Sequence, residues 1–181
     1  MGRRSILILA IALAAGGALS IVAWDVLKPD RRPPQLAATD ARATAIVVEK
    51  QARRLTLRRG DKILATYQAS LGSAPIGHKE REGDGRTPEG LYSIDFKHPR
   101  SRFHLALRIS YPNGADRSSA RRRGVAPGGD IMIHGLPNGL GWLGSFHLAR
   151  DWTDGCIAVT NGQIEEIWAL VDVGTSVEIK P

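Results

Sequence analysis

Cysteine is nearly absent from this chain of 181 residues: Cys156 is the only one, so no intramolecular disulfide can staple the fold. A lone thiol in an oxidising compartment is either buried among apolar neighbours or put to use. Aromatic residues are scarce as well, at 6%, and the tightest basic run, Arg121-Arg122-Arg123, has none interleaved, which argues against a nucleic-acid partner. No internal repeat or long low-complexity tract follows the first forty residues. The Gly-rich stretch from Gly72 to Gly90 lacks the Gly-Lys-Ser/Thr ending of a phosphate-binding loop, so nucleotide binding has no support.

What the chain has in plenty is an apolar front end. Gly2-Arg3-Arg4 precedes an uncharged, almost wholly apolar run from Ile6 to Trp24. A secretory h-region usually covers about 7–15 residues and a spanning helix roughly 20. The length fits a signal-anchor in residues 1–27, with cleavage near Ala18, after Gly16-Gly17, as the alternative; either way the remainder is exported. No cysteine follows the leader to accept a lipid. Lys28 to Asp40, with Pro29, Pro33 and Pro34, reads as a spacer, giving a linker over 28–43 and one domain over 44–181. Formal net charge is +7, but residues 1–32 hold five Lys/Arg against two acids, leaving twenty against sixteen in the rest. That mild excess suits an anionic partner such as a wall or a membrane surface.

Within the domain, period-two patterns predict strands over 45–49, 54–58, 62–69, 91–96 and 103–109, with a turn at Gly60-Asp61. In 103–109, Phe103, Leu105, Leu107 and Ile109 alternate with His104, Ala106 and Arg108. Short apolar strands are expected at Ile131-Met132-Ile133, at Ile157-Ala158-Val159 and over 175–179. Gly72–Gly90 and Tyr111–Asp130 read as long loops. The single helix expected is 161–171, where Ile164, Ile167, Trp168 and Val171 form one apolar stripe and Thr160 with Gln163 can build a capping box. The fold class is therefore mainly β, α+β with little helix.

Cys156 acquires a reason from its surroundings. A thiol attacks a carbonyl only as thiolate, and a neighbouring imidazole can take the proton and later return it to a leaving amine. His134 ends the strand before the Trp142–Asp154 loop, 22 positions ahead of Cys156, and adjacent strands joined by that loop would bring the two together. Ile133-His134-Gly135, then Thr153-Asp154-Gly155-Cys156-Ile157-Ala158-Val159-Thr160-Asn161, resembles the catalytic domain of the L,D-transpeptidases, the YkuD-type family, in a YafK-like branch. Gly85-Arg86-Thr87-Pro88-Glu89-Gly90-Leu91-Tyr92 and Tyr111-Pro112-Asn113 match further family motifs, so the resemblance runs from about Ala45 to Ile179.

The resemblance implies a YkuD-like β-sandwich with one helix in its C-terminal half. It implies a cell-wall enzyme that forms a cysteinyl thioester with a peptidoglycan stem peptide, on the periplasmic face of a bacterial inner membrane or free in the periplasm. Cys156 would be the nucleophile and His134 the general base and acid. The Gly135 carbonyl would orient the imidazole, and the backbone at Gly155 would contribute to an oxyanion hole. No cofactor or metal is implied. Asp154, Asn161, Trp142 and Trp152 are candidate substrate contacts. Asp154 stands where most members carry His, and Ala158 where many carry Arg. Those departures keep open a peptidase or amidase that hydrolyses the thioester, acting on stem peptides or releasing a wall-linked lipoprotein or outer-membrane protein. A zinc site on His134, His147, Cys156 and Asp151 or Asp154, and a non-catalytic wall-binding module, are the remaining alternatives. His147 otherwise reads as a solvated loop residue and His104 as surface or cleft rim, with Trp142 and Trp152 as core-rim aromatics in the plainer reading.

Overall fold

The computed structural model describes residues 32–181, so the apolar leader lies outside the described residues. Among the described residues no helix is long and apolar enough to cross a membrane. Eight strands form in chain order: β1 (Ala45–Glu49), β2 (Arg54–Arg59), β3 (Lys62–Gln68), β4 (Gly90–Ser101), β5 (His104–Ile109), β6 (Met132–His134), β7 (Ile157–Ala158) and β8 (Ser176–Lys180). Helix α1 (Gly114–Arg123) precedes β6 and helix α2 (Asn161–Leu170) precedes β8. A 3-10 segment over Gly141–Ala149 leads towards β7.

The hydrogen-bonded order is β3-β2-β1-β8-β4-β5-β6-β7. β1 runs antiparallel to β2 and parallel to β8, and β6 runs parallel to β7. Long β4 joins the two halves, because Gly90–Ser93 pair with β8 while Ile94 to Ser101 pair with β5. The chain leaving β3 then crosses to the far edge: Ser70 bridges Ala158, and Gly72 bridges Thr153. Ser70 N–H donates to the Ala158 carbonyl at 2.9 Å and Ala158 N–H returns the bond at 2.8 Å. The sheet thus curls until the chain continuing from β3 reaches the outer strand β7, covering that strand's edge at Ala158. This corrects the expected two-sheet sandwich: one continuous curled sheet wraps the core.

The core is aliphatic. Ile46 and Val48 of β1, Leu55 and Leu57 of β2, Leu107 and Ile109 of β5, Ile133 of β6 and Ile157 of β7 are fully buried, each contributing about 1.5–3 kcal/mol of transfer free energy. Helix α2 closes the core with Ile164, Ile167 and Trp168, and its start carries the expected capping box between Thr160 and Gln163. Its C-terminal end is held by Lys97, whose ammonium donates to the Trp168 and Val171 carbonyls at 2.7 Å each.

Three local expectations change. Tyr111–Asp130 is not a plain loop: it contains α1, with Asn113 as N-cap, an Asn113/Asp116 capping box and Gly124 in the left-handed region as C-cap. A second helix therefore joins the one expected. Phe103 does not continue the inward row of β5, because His104 adopts a φ of +66°, which breaks the alternation and sends Phe103 towards the opposite face. Finally, Ala37 and Ala43, expected in the spacer, donate to the Ala169 and Leu170 carbonyls at 2.8 Å, so the chain is tied to α2 from Ala37 onwards.

Candidate active site

The parallel register of β6 and β7 sets the chemistry out. Ile133 pairs with Ile157 and His134 with Ala158. Ile131, Ile133, Ile157 and Val159 all belong to the core. Because successive side chains alternate across a strand, His134 and Ala158 occupy the other face, and Cys156, two residues before Ala158, joins them. Sγ of Cys156 lies 3.6 Å from the Asp130 carbonyl oxygen, at the mouth of β6.

His134 is only 3% exposed. Its Nδ1 is 2.6 Å from the Gly135 carbonyl oxygen, which can only accept, so Nδ1 carries the proton and Nε2 keeps its lone pair. Burial pushes the imidazole pKa down to about 4, against a smaller opposing pull from the Gly135 carbonyl and with a further push from nearby His147. At neutral pH the ring is therefore an uncharged base. Gly135 is tightly enclosed: a Cβ would stand 2.7 Å from Asn161 Oδ1, 3.0 Å from Ile164 Cγ2 and 3.2 Å from His104 Cβ, so a larger residue would have to displace the Asn161 side chain.

Burial also raises the Cys156 thiol above its ordinary value, and the Asp154 and Asp130 charges add to this. A backbone hydrogen bond from Met132 and the Lys79 ammonium pull the other way. Thiol and imidazole both rest neutral. The pair suits a base that takes the proton during attack, rather than a standing thiolate–imidazolium pair.

The turn before the cysteine is built by Thr153. Its hydroxyl donates to the Cys156 carbonyl at 2.7 Å and accepts from Gly155 N–H at 3.2 Å. Gly155 sits at φ +120° with its Cα against the Arg86 carbonyl, where a Cβ would approach to 2.5 Å. Gly72 meets the same place: a Cβ there would lie 2.1 Å from the Gly85 carbonyl oxygen. The loop of residues 72–86 therefore packs backbone to backbone against the turn that carries Cys156, held in shape by a buried Lys79–Asp84 ion pair at 2.8 Å. Asp84 also accepts from the Glu80, Arg81 and Arg86 backbone N–H groups, which with Lys79 pull its carboxyl down to about 2 against the cost of burial.

The remaining candidates fall in different places. Asn161 turns its Oδ1 to Leu136 N–H at 2.8 Å and its Nδ2 towards Gly141, so it fastens the turn that presents the Gly135 carbonyl rather than facing a cleft. Asp154 is exposed beside the thiol. Trp142 is 70% exposed on the 3-10 segment, joined there by Phe146 at 83%. Trp152 packs edge-on against His134, with ring centroids 5.9 Å apart, and Phe103 lies 4.5 Å from the imidazole. His147, read from sequence as solvated, is buried, and its Nδ1 accepts the Trp152 indole N–H at 3.3 Å. Among the described residues no group of three or more His, Cys, Asp or Glu is placed to hold a metal ion, so the zinc reading finds no ligand set there. Ala158 is fully buried behind the Ser70 bridge, so no side chain of arginine's size fits there as packed. Phe103 and Thr153 were not singled out as site residues from sequence, and His147 was weighed there only as a zinc ligand or a solvated loop residue; the unbroken alternation through His104 gave no sign of the turn that places Phe103.

Comparison with known proteins agrees with this geometry. The family model described as the YkuD L,D-transpeptidase catalytic domain matches residues 43–179. The curated "Putative L,D-transpeptidase YafK" of Escherichia coli K12 is 31% identical over 130 residues, 70% of this chain and 45% of that protein. This chain thus spans about half the length of the curated relatives it matches. Among solved structures, the helical cell shape determining protein Pgp2 of Campylobacter jejuni superposes with a TM-score of 0.58 at 24% identity, covering 88% of this chain and 56% of that one. Bdellovibrio bacteriovorus Bd1075 gives a TM-score of 0.52 at 28% identity, over 82% of this chain and 51% of that one. With the family match running from just before β1 into β8 and enclosing the His134/Cys156 strand pair, this chain belongs to the L,D-transpeptidase catalytic-domain family.

Proposed function

We propose that the domain is a peptidoglycan L,D-transpeptidase that works through a Cys156 thioester. The observation that carries this reading is the neutral imidazole of His134, anchored at Nδ1 by the Gly135 carbonyl and standing on the same sheet face as the thiol. In the proposed step, Nε2 of His134 takes the thiol proton as Sγ attacks the carbonyl carbon of a stem-peptide bond. The carbonyl oxygen becomes an oxyanion, met by the Cys156 N–H, since the Gly155 N–H is engaged by Thr153. The C–N bond then breaks, the leaving amine takes the proton from His134 Nε2, and the acyl group remains on sulfur. An amine from a second stem resolves the thioester and regenerates the thiol.

Hydrolysis is the second reading. Ala158 is buried and Asp154 is the exposed side chain beside the thiol, so neither supplies a cation to hold an acceptor's carboxylate. Water then competes with a less firmly oriented amine, and a wall-linked lipoprotein or outer-membrane protein could be released. The apolar leader supports an exported domain, tethered to the inner membrane or freed into the periplasm. Incubation with a carbapenem should add one drug mass to the protein and none to Cys156→Ala; labelling that survives the substitution refutes the nucleophile. Mass spectrometry of digested sacculi then separates new cross-linked dimers from shortened or released products.

A further inference from the structure

His134 is held from more than one side. Gly135 fixes its Nδ1, Phe103 covers its ring at 4.5 Å, and Trp152 meets it edge-on at 5.9 Å. Trp152 is itself anchored, and by a residue remote in function from the sequence motifs. Its indole N–H, which can only donate, points at Nδ1 of His147 at 3.3 Å, and the two rings stand nearly perpendicular with centroids 6.1 Å apart. The acceptor role fixes His147 as the neutral tautomer with its proton on Nε2, and that nitrogen is buried without a hydrogen-bond partner among the described residues. The backbone of His147 is fixed too: Ser70 Oγ donates to its carbonyl at 3.1 Å, and Ser70 is the residue that pairs with Ala158 beside β7. A buried imidazole whose Nε2 goes unsatisfied is a costly choice for a residue that only fills space.

We infer that His147 is a positioning residue for the base: through the Trp152 indole it sets the orientation of the His134 ring towards Cys156. The inference rests on the reading of His134 as the base. One hydrogen bond at Nδ1 and Phe103 over the ring restrain the imidazole from two sides, and Trp152, edge-on, bounds the tilting that remains. Trp152 stays in place because its N–H has a partner. Without that partner the indole is free to rotate and Nε2 loses its aim at the thiol, which proximity-dependent proton transfer does not tolerate.

The test uses the full-length chain and iodoacetamide, with Cys156 alkylation followed by intact mass. Wild type, His134→Ala, His147→Phe, His147→Asn and Trp152→Phe are compared at neutral and alkaline pH, alongside urea midpoints. His147→Phe keeps a ring but no acceptor; His147→Asn places an oxygen close to where Nδ1 stood. At neutral pH, His147→Phe and Trp152→Phe should each slow alkylation about tenfold, the scale of one lost hydrogen bond, while His147→Asn stays near wild type. At alkaline pH, where the thiolate forms without help, all rates should converge. A wild-type rate in His147→Phe, equal slowing by Phe and Asn, or a deficit that persists at alkaline pH each overturns the inference. If His147→Phe does not fold, Trp152→Phe decides, and a rate within twofold of wild type overturns it. If His134→Ala itself is not slowed, the base assignment fails instead, which is a different result from the loss of the His147 effect alone.

Discussion

Burial does two things to His134: it keeps the ring uncharged, and it makes the fold sensitive to acid. An unfolded histidine titrates near 6.5, whereas the folded ring is held down to about 4. The unfolded state therefore binds the proton first as pH falls. Stability from this group is complete above about 6.5 and drains away between there and about 4. His147, also lowered by burial, acts in the same direction. Going from pH 7 to pH 4.5 should cost the wild type about 2 kcal/mol more than it costs His134→Gln, measured as urea midpoints in a salt-matched series. An equal loss in both would mean that His134 stays solvated enough to titrate normally. The same burial explains why charge counting along the chain says little about the site. Asp154 looks like the dominant neighbour of Cys156 in sequence, yet burial is the larger cause of the raised thiol.

Elements differed in how well the sequence announced them. β1 and the helix over 161–170 were legible because their burial follows one clean period: Ile46 and Val48 point inward on β1, and Ile164, Ile167 and Trp168 share one face of α2. The Cys156 and His134 pair was expected through the family resemblance, and the β6–β7 register puts both residues on one face of the sheet. Helix α1 was not legible by period, since it buries only Asp116 and Ala120 and carries no apolar stripe. Its signature lies in its ends, with Asn113 and Asp116 at the start, Arg121 to Arg123 in the last turn where cations favour the dipole, and Gly124 beyond. Such a helix depends on its caps, so Asn113→Ala should cost about 1 kcal/mol in denaturant unfolding and leave Cys156 alkylation unchanged. A negligible cost would show that α1 is held by the Asp116 bond from the Tyr92 hydroxyl instead. His147 and Phe103 escaped for another reason: one positive φ at His104 and a kinked 3-10 segment at Gly144 place them, and neither leaves a period to read.

At the scale of the molecule, the sheet closes where the turn carrying Cys156 begins. Asp151 stands at that seam with a side chain only 12% exposed. Its Oδ2 accepts from Arg53 Nη2 at 2.7 Å and Nε at 3.2 Å, which ties it to the β1–β2 turn. Its Oδ1 accepts from Leu71 N–H at 2.9 Å, which ties it to the segment leaving β3. Thr153 N–H, two residues on, donates to the Leu71 carbonyl at 3.1 Å. One carboxylate therefore links the hairpin at one end of the sheet, the segment that crosses to β7 and the turn carrying Cys156. Asp151→Ala would leave the Leu71 N–H without its acceptor and the Arg53 guanidinium with only the Lys50 and Gln51 carbonyls, a loss of about 1–3 kcal/mol. Asp151→Asn keeps an oxygen for Leu71 but loses the charge that pairs Arg53, so it should fall between wild type and alanine. The stability loss alone would describe any buried ion pair. The distinguishing result is local: hydrogen exchange at Thr153 and Ala158 should accelerate in Asp151→Ala, while exchange at Ile46 and Val48 tracks only the global loss. Uniform acceleration across all four amides would show that the sheet opens as one unit and that the seam has no stability of its own to lose.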